Sequence, residues 1–331
     1  MTDTVRQALA LWGFDDAECS FVAGRENRVY RVRTGEGRFA LRLRRPGYRS
    51  EAELLSEALW LEAMDRAALQ VPRPRRSLGG ALLEKVGAHH VDMVGWLSGQ
   101  PLGRSGDRLQ VADAPAVFRR LGREMARLHA ACDVWQRPAG FARCAWNAEG
   151  LLGEAPLWGR FWDNPTLDAE TRSLFTRFRR EARLDLEACA ATLDHGLIHA
   201  DLVRENVLVD GSLIRMLDFD DGGFGFRLFD LATVLLKNLA EPHYADLEAA
   251  LRQGYASLRP LDDRKLGLFM ALRAVTYVGW IVPRMDEDGS CARNERFIAH
   301  ARQLCADYLG HPPPMAFESE HPLKGSHAPE L

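Results

Sequence analysis

A chain of 331 residues is long enough for two folded units or for the two lobes of one enzyme. With 47% hydrophobic and 27% charged residues it has ordinary globular composition and can build substantial cores. A formal net charge of -3 gives no broad electrostatic reason to expect nucleic acid or an anionic membrane as partner.

The opening residues MTDTVRQALALWGF read as a short amphipathic helix, without the basic segment, apolar core and cleavage site of a signal peptide. No stretch approaches the roughly 18 apolar residues of a membrane span. Cys19, Cys132, Cys144, Cys189, Cys291 and Cys305 are scattered, with no C-x-x-C pair and no histidines at zinc-finger spacing. These features predict a cytoplasmic protein with reduced thiols.

Along the chain, residues 19–23, 28–33 and 38–44 predict strands, with Gly24, Gly35 and Gly37 at the turns. Residues 51–69 predict a helix, because Leu54, Leu55, Ala58, Leu61, Met64 and Ala68 fall on one arc. Val71-Pro72-Arg73-Pro74 ends it. Two more strands follow at 81–86 and 91–97, and His89-His90 reads as a solvated turn. Arg42, Arg44, Arg45 and Arg49, with further arginines at 73, 75 and 76, form either a solvated basic face or a local anion site.

Beyond Pro101 the character changes to helix at 116–131, 170–193, 228–239, 244–257, 263–282 and 293–309. Residues 135–164, rich in Trp, Gly and Pro, predict an irregular insert, and 196–218 hold short apolar runs between polar loops. The organisation is a small β-rich lobe over 1–97, a larger helical lobe over 98–310, and a disordered tail at 311–331.

The chemistry concentrates in HADLVREN, residues 199–206, followed by LDFD, residues 217–220. Two polar loops, each joined to a short apolar strand, bring Asp201, Asn206 and Asp218 together. That set suits phosphoryl transfer: one carboxylate orients an acceptor hydroxyl and takes its proton, while an amide oxygen and a second carboxylate hold Mg²⁺. A lone H-x-D carries little weight; the ordered pair of loops carries much more. Walker-type enzymes are excluded, because no G-x-x-x-x-G-K-[ST] occurs.

HADLVRENVLVD followed by LDFDDGGFGFRLFDLA resembles the aminoglycoside phosphotransferase/choline kinase family, over about residues 20–305. The family includes homoserine kinases of the second type and a bacterial stress-response protein kinase. The resemblance implies an α+β, bilobal protein-kinase-like fold with a small antiparallel-sheet N-lobe and a large, mainly helical C-lobe. It implies an enzyme that uses ATP and Mg²⁺ to phosphorylate a hydroxyl of a small molecule. Amino alcohols, hydroxy amino acids such as homoserine, and aminoglycoside-like acceptors all fit. By the same resemblance Asp201 is the catalytic base, His199 braces its loop, and Asn206 and Asp218 are metal ligands. Asp220 stands where kinases of the D-F-G type carry glycine, as an added metal or substrate contact.

Residues 39–43, FALRL, resemble the kinase V-A-I-K strand, so Arg42 occupies the position of the usual lysine. Glu57, within the apolar arc of the helix, is its natural partner. Gly24 and Asn27 belong to a turn that lacks G-x-G-x-x-G and matches the family's short phosphate loop. Backbone at Met93 and Gly95 is expected to receive adenine. Arg273, on the apolar stripe of its helix, either pairs with an acid such as Asp220 or Asp230 or binds an anionic substrate group. Asp230 braces the catalytic loop or caps its helix, and Glu205 is a further acceptor candidate. Asp286-Glu287-Asp288 is either a solvated loop or an attractor for an amine.

The absence of A-P-E and the short stretch 218–229 favour a small-molecule acceptor. A serine/threonine protein kinase of the stress-response type and a nucleotide-binding pseudokinase are the alternatives.

Overall fold

The computed structural model describes residues 2–24 and 27–310. Arg25 and Glu26 of the expected phosphate loop, and the tail 311–331, lie outside the described residues. The chain folds as α1 (Asp3–Ala10), β1 (Glu18–Gly24), β2 (Arg28–Thr34), β3 (Gly37–Leu43), α2 (Glu51–Arg66), β4 (Pro74–Arg75), β5 (Glu84–Val86) and β6 (His89–Gly95). The strands form one antiparallel sheet in the order β1-β2-β3-β6-β4, with β5 also on β6.

Alternation along β3 decides what each face of this sheet carries. Leu41 and Leu43 pack with Val91 and Met93 of β6, with Val5 and Leu9 of α1 and with Trp12 just after it in one core. Arg42, and Arg44 two residues on, therefore face the opposite side, towards α2. That helix begins at a capping box in which Ser50 and Glu53 exchange hydrogen bonds. His89 and His90 lie in β6 rather than in a turn.

After the link come β7 (Gln100–Pro101), α3 (Ala114–Val134), β8 (Ala145–Trp146), α4 (Ala148–Leu152) and α5 (Ala169–Cys189). Then follow β9 (His195–Ile198), β10 (Val207–Asp210), β11 (Leu213–Met216), β12 (Gly223–Phe226), α6 (Arg227–Leu236), α7 (Tyr244–Ala256), α8 (Leu266–Trp280) and α9 (Ser290–Tyr308). This is the expected α+β, bilobal protein-kinase-like architecture. The helical lobe's core also takes in Trp60, Leu61 and Met64 of α2, so that helix serves both lobes. Its Trp60 stands edge-on to Phe219, with ring centroids 5.1 Å apart.

Helices α3 and α7 touch through glycine. A Cβ on Gly122 would lie 2.1 Å from the Leu251 carbonyl oxygen, and one on Gly254 would lie 2.0 Å from that of Arg119. The six cysteines are free thiols. Among the described residues no helix is long and apolar enough to cross a membrane.

Candidate active site

Two short sheets place the polar loops. β9 pairs with β12, and β10 pairs with β11, so the turns leaving β9 and β11 meet. The Leu217 amide donates to the Asn206 carbonyl at 2.8 Å and fixes them together. Both turns contain a non-glycine residue in the left-handed region, Ala200 at φ 65° and Asp218 at φ 61°. Such backbone persists where the surroundings over-determine it.

Asp230 supplies that constraint at Ala200. Its carboxylate accepts the amides of His199 (2.9 Å) and Ala200 (2.6 Å), and it meets His129 Nε2 at 3.0 Å. Asp230 thus braces the loop from the first turn of α6, one of the two roles expected of it. His199 is buried, with Nε2 on the Leu217 carbonyl (2.7 Å) and Nδ1 accepting the Asp201 amide (3.3 Å). Burial lowers its pKa, so the neutral ring carries Hε2. With both nitrogens engaged it is a positioning residue; it does not face the cleft.

Asp201 is held by two donors. Arg273 Nη2 donates to Oδ1 at 2.6 Å, and Asn206 Nδ2 to Oδ2 at 3.2 Å. Arg273 is therefore paired internally, but with Asp201 rather than with Asp220 or Asp230. The Asn206 amide turns its nitrogen to Asp201, which leaves its oxygen available for a cation. Asp218 lies on the cleft floor with one side open to water. Burial, then the carboxylates of Asp220, Asp201 and Asp221, push its carboxyl up to about 7. Burial, then Asp201 and Asp220, push the Asp221 carboxyl up as well, against Arg49 and Arg273.

This acidic floor fits a cation bound jointly with phosphates. Among the described residues no three His, Cys, Asp or Glu side chains converge as a closed metal cage. Asp218 and the Asn206 oxygen instead make the sparse oxygen set that suits Mg²⁺, which keeps several waters.

The upper wall is an ion-pair cluster. Arg42 donates to Asp92 (2.6 Å) and Glu57 (2.8 Å), which confirms the inward Glu57. Arg44 donates to the same two carboxylates at 2.6 and 2.8 Å, and to Asp220 across the cleft at 3.1 Å. Against burial, Arg44 and Arg42 hold Glu57 well below the usual carboxylate range. Arg49 reaches Asp221 at 2.8 Å. Arg42, Arg44 and Arg49 are therefore not a solvated face, although Arg45 is exposed. Asp220, expected at the metal or the substrate, is committed to Arg44 and is nearly buried.

Sequence reasoning missed Arg44, Asp92 and Arg143. The i, i+2 spacing of Arg42 and Arg44 was the available signal. Arg143, from the irregular insert, donates to the carbonyls of Phe219, Asp220, Gly222 and Glu53 at 2.6–3.0 Å and clamps the D-F-D loop. No spacing rule points to it.

Asn27 accepts the Arg45 amide through Oδ1 at 3.2 Å, and Gly24 closes β1. The backbone expected to receive adenine is engaged at Met93 and at the Gly95 amide. Met93 pairs with Leu41 and Arg75, its side chain lies in the α1 core, and the Gly95 amide donates to the Arg73 carbonyl at 2.8 Å. Pairing continues to the Trp96 amide, which donates to Arg38 at 3.0 Å. The central position of β6 in the sheet is the cause. Glu205 accepts the Ser105 amide and hydroxyl at 2.6 and 2.9 Å, and so holds a neighbouring loop. Residues 286–288 form a turn before α9, with Glu287 paired to Arg293.

The sequence profile of the phosphotransferase enzyme family matches residues 19–261. The chain is 25% identical to a homoserine kinase of Methylobacillus glycogenes, over 84% of this chain and 83% of that one. It is 26% identical to an amicoumacin kinase of Bacillus subtilis (strain 168), over 71% and 68% of the two chains. Among solved structures, a microcompartment-associated aminopropanol kinase superposes with a TM-score of 0.80 at 29% identity, covering 92% of this chain and 97% of that one.

Proposed function

We propose that this chain, which belongs to the phosphotransferase enzyme family, moves the γ-phosphoryl group of ATP to the hydroxyl of a small-molecule acceptor with Asp201 as the base. The observation that carries the reading is Asp201 held by Arg273 and Asn206 beside Asp218, beneath the arginine–carboxylate wall. The acceptor oxygen bonds to phosphorus, the bond to the β–γ bridging oxygen breaks, and ADP leaves with that oxygen. The acceptor's proton passes to the Asp201 carboxylate, which Arg273 and Asn206 keep aimed. Asp218 and the Asn206 oxygen would hold a Mg²⁺ ion, which would supply charge neutralisation along the phosphates.

Above them, Arg42 stands in the lysine's place. Its Nη2 is buried and has no partner among the described residues, while Nε and Nη1 are spent on Asp92 and Glu57, so a donor is left for a phosphate oxygen. Gly24, which ends β1, and Asn27, just before β2, are the described positions assigned to the phosphate side of the nucleotide. Residues 1–97 then act as the nucleotide-binding lobe and 98–310 as the catalytic and acceptor lobe, with α2 shared.

A small acceptor is supported by the packing after Asp218. Residues 223–226 form β12 and α6 starts at Arg227, so no free activation segment separates loop and helix. The relatives named for homoserine, amicoumacin and aminopropanol agree with that class. The convergence of Asp201, Asn206 and Asp218 favours an active enzyme over a pseudokinase, whose support is Arg42 in the lysine's place.

The test is coupled ATP consumption with Mg²⁺ across amino alcohols, hydroxy acids, sugars and aminoglycosides, with Asp201→Asn as comparison. Acceptor-dependent turnover that falls by at least ~10²-fold in that variant supports the reading. Turnover that survives the substitution would sink Asp201 as base.

A further inference from the structure

The groups around Asp201 on the acceptor side are basic and aromatic. Arg273 is fully buried, with its guanidinium carbon 4.4 Å from the ring centroids of both Trp158 and Tyr277. Lys237, at the end of α6, places Nζ 3.6 Å from the Tyr277 centroid and 5.4 Å from that of Phe297. Trp158, Tyr277 and Phe297 form one run of rings, with neighbouring centroids 5.6 and 5.1 Å apart. An aromatic cage of this kind would suit a cationic ligand, but its faces already carry the protein's own cations.

The charge balance points the same way. Among the described residues the Lys237 side chain has no hydrogen bond or ion pair, although it is only partly exposed. Burial, then the like charge of Arg273, lower its pKa to about 7; Arg296 of α9 adds to this, while Asp201 and Glu205 oppose it. Arg296 and Lys237, after burial, also depress His300. The two carboxylates nearby are already committed, Asp201 to Arg273 and Asn206, and Glu205 to Ser105. A half-buried ammonium without a counterion is a costly arrangement that an anionic ligand relieves.

We propose that the acceptor is a hydroxy acid, its hydroxyl at Asp201 and its carboxylate at Lys237, with Arg296 adding to the attraction. This rests on the phosphotransferase reading above and selects a substrate class within it. An acceptor whose remaining groups are only cationic meets Arg273, Lys237 and Arg296 and finds no uncommitted carboxylate beside them. Lys237 is then the residue that sets specificity, and Arg273 a positioning residue for the base.

The experiment compares, with Mg²⁺ and ATP, hydroxy acids of three to six carbons (homoserine and 4-hydroxybutyrate among them) with their carboxamides and with 3-amino-1-propanol. The acids are expected to exceed the matched amides in kcat/KM by about tenfold or more. Lys237→Met should raise KM for the acids and collapse that ratio, and Lys237→Arg, which keeps the charge, should preserve most of it. Amides or the amino alcohol turned over as well as the acids would overturn the proposal, as would a ratio untouched by Lys237→Met in a folded protein. Either result leaves the phosphotransferase reading intact while acceptor-dependent turnover is lost in Asp201→Asn. Absence of turnover with every acceptor overturns both.

Discussion

Arg44, at the end of β3, donates to Asp220 at 3.1 Å across 176 positions of sequence, and so ties the sheet of one lobe to the D-F-D loop of the other. The same guanidinium holds Asp92 and Glu57. Against burial, these three carboxylates keep its pKa well above the ordinary value. Asp220 thereby acts as a strut between lobes, which is why the proposed cation site rests on Asp218 and Asn206 without it.

Removing one member of such a cluster strands buried charges. Arg44→Met is expected to lower unfolding free energy by about 3–5 kcal/mol, read from the urea midpoint. It should also raise KM for ATP, because Glu57 and Asp92 then pull Arg42 alone. An unchanged midpoint would show that the cluster contributes nothing net.

Acid sensitivity should come from the network behind the catalytic loop. His129 is buried between Tyr255 Oη (2.8 Å) and Asp230 (3.0 Å). Burial, then Arg227, lower its pKa to about 4. In the unfolded chain it takes a proton near pH 6.5, so stability is lost as pH falls from about 6.5 to 4. The slope approaches 1.4 kcal/mol per pH unit, about 3 kcal/mol in all. Asp230, held below its ordinary value against burial by His129, adds loss at the acid end. Thermal melts from pH 7 to 4 should show this slope, and His129→Gln should flatten it.

Helices α3 and α7 have no room for a methyl group at their crossing. Gly122→Ala or Gly254→Ala would drive a Cβ into the facing backbone carbonyl. Overpacking of this kind costs about 1–3 kcal/mol, visible as a lowered melting temperature. Gly267→Ala, where a Cβ meets open space on α8, serves as the control and should not lower it.

Arg273→Met should reduce kcat by about 10- to 100-fold while changing KM for ATP little, since it removes the donor that aims Asp201. Rescue by Arg273→Lys is expected to be partial, because an ammonium lacks the planar face that the guanidinium lays 4.4 Å from the Trp158 and Tyr277 rings. Full activity in the Met variant would refute the positioning role.

Much of this was legible in the sequence because it is local. The strand FALRL marked Arg42, helical periodicity turned Glu57 inwards, and the spacing within HADLVREN and LDFD marked the residues that meet at the cleft. The elements were readable for the same reason, with boundaries shifted by a few residues where pairing and caps decide the ends.

Partners far apart in sequence were not legible. Asp201 takes its cation from α8, 72 residues on, and Asp220 takes its from β3. Arg143 clamps the D-F-D loop from an insert with no pattern of its own, and Lys237 ends a helix with nothing in its neighbours to mark it. The backbone of Met93 and the Gly95 amide are occupied because β6 lies inside the sheet. Local chemistry specifies which groups are offered; which charge each one meets is decided by packing, because burial removes the water that would otherwise have served as partner.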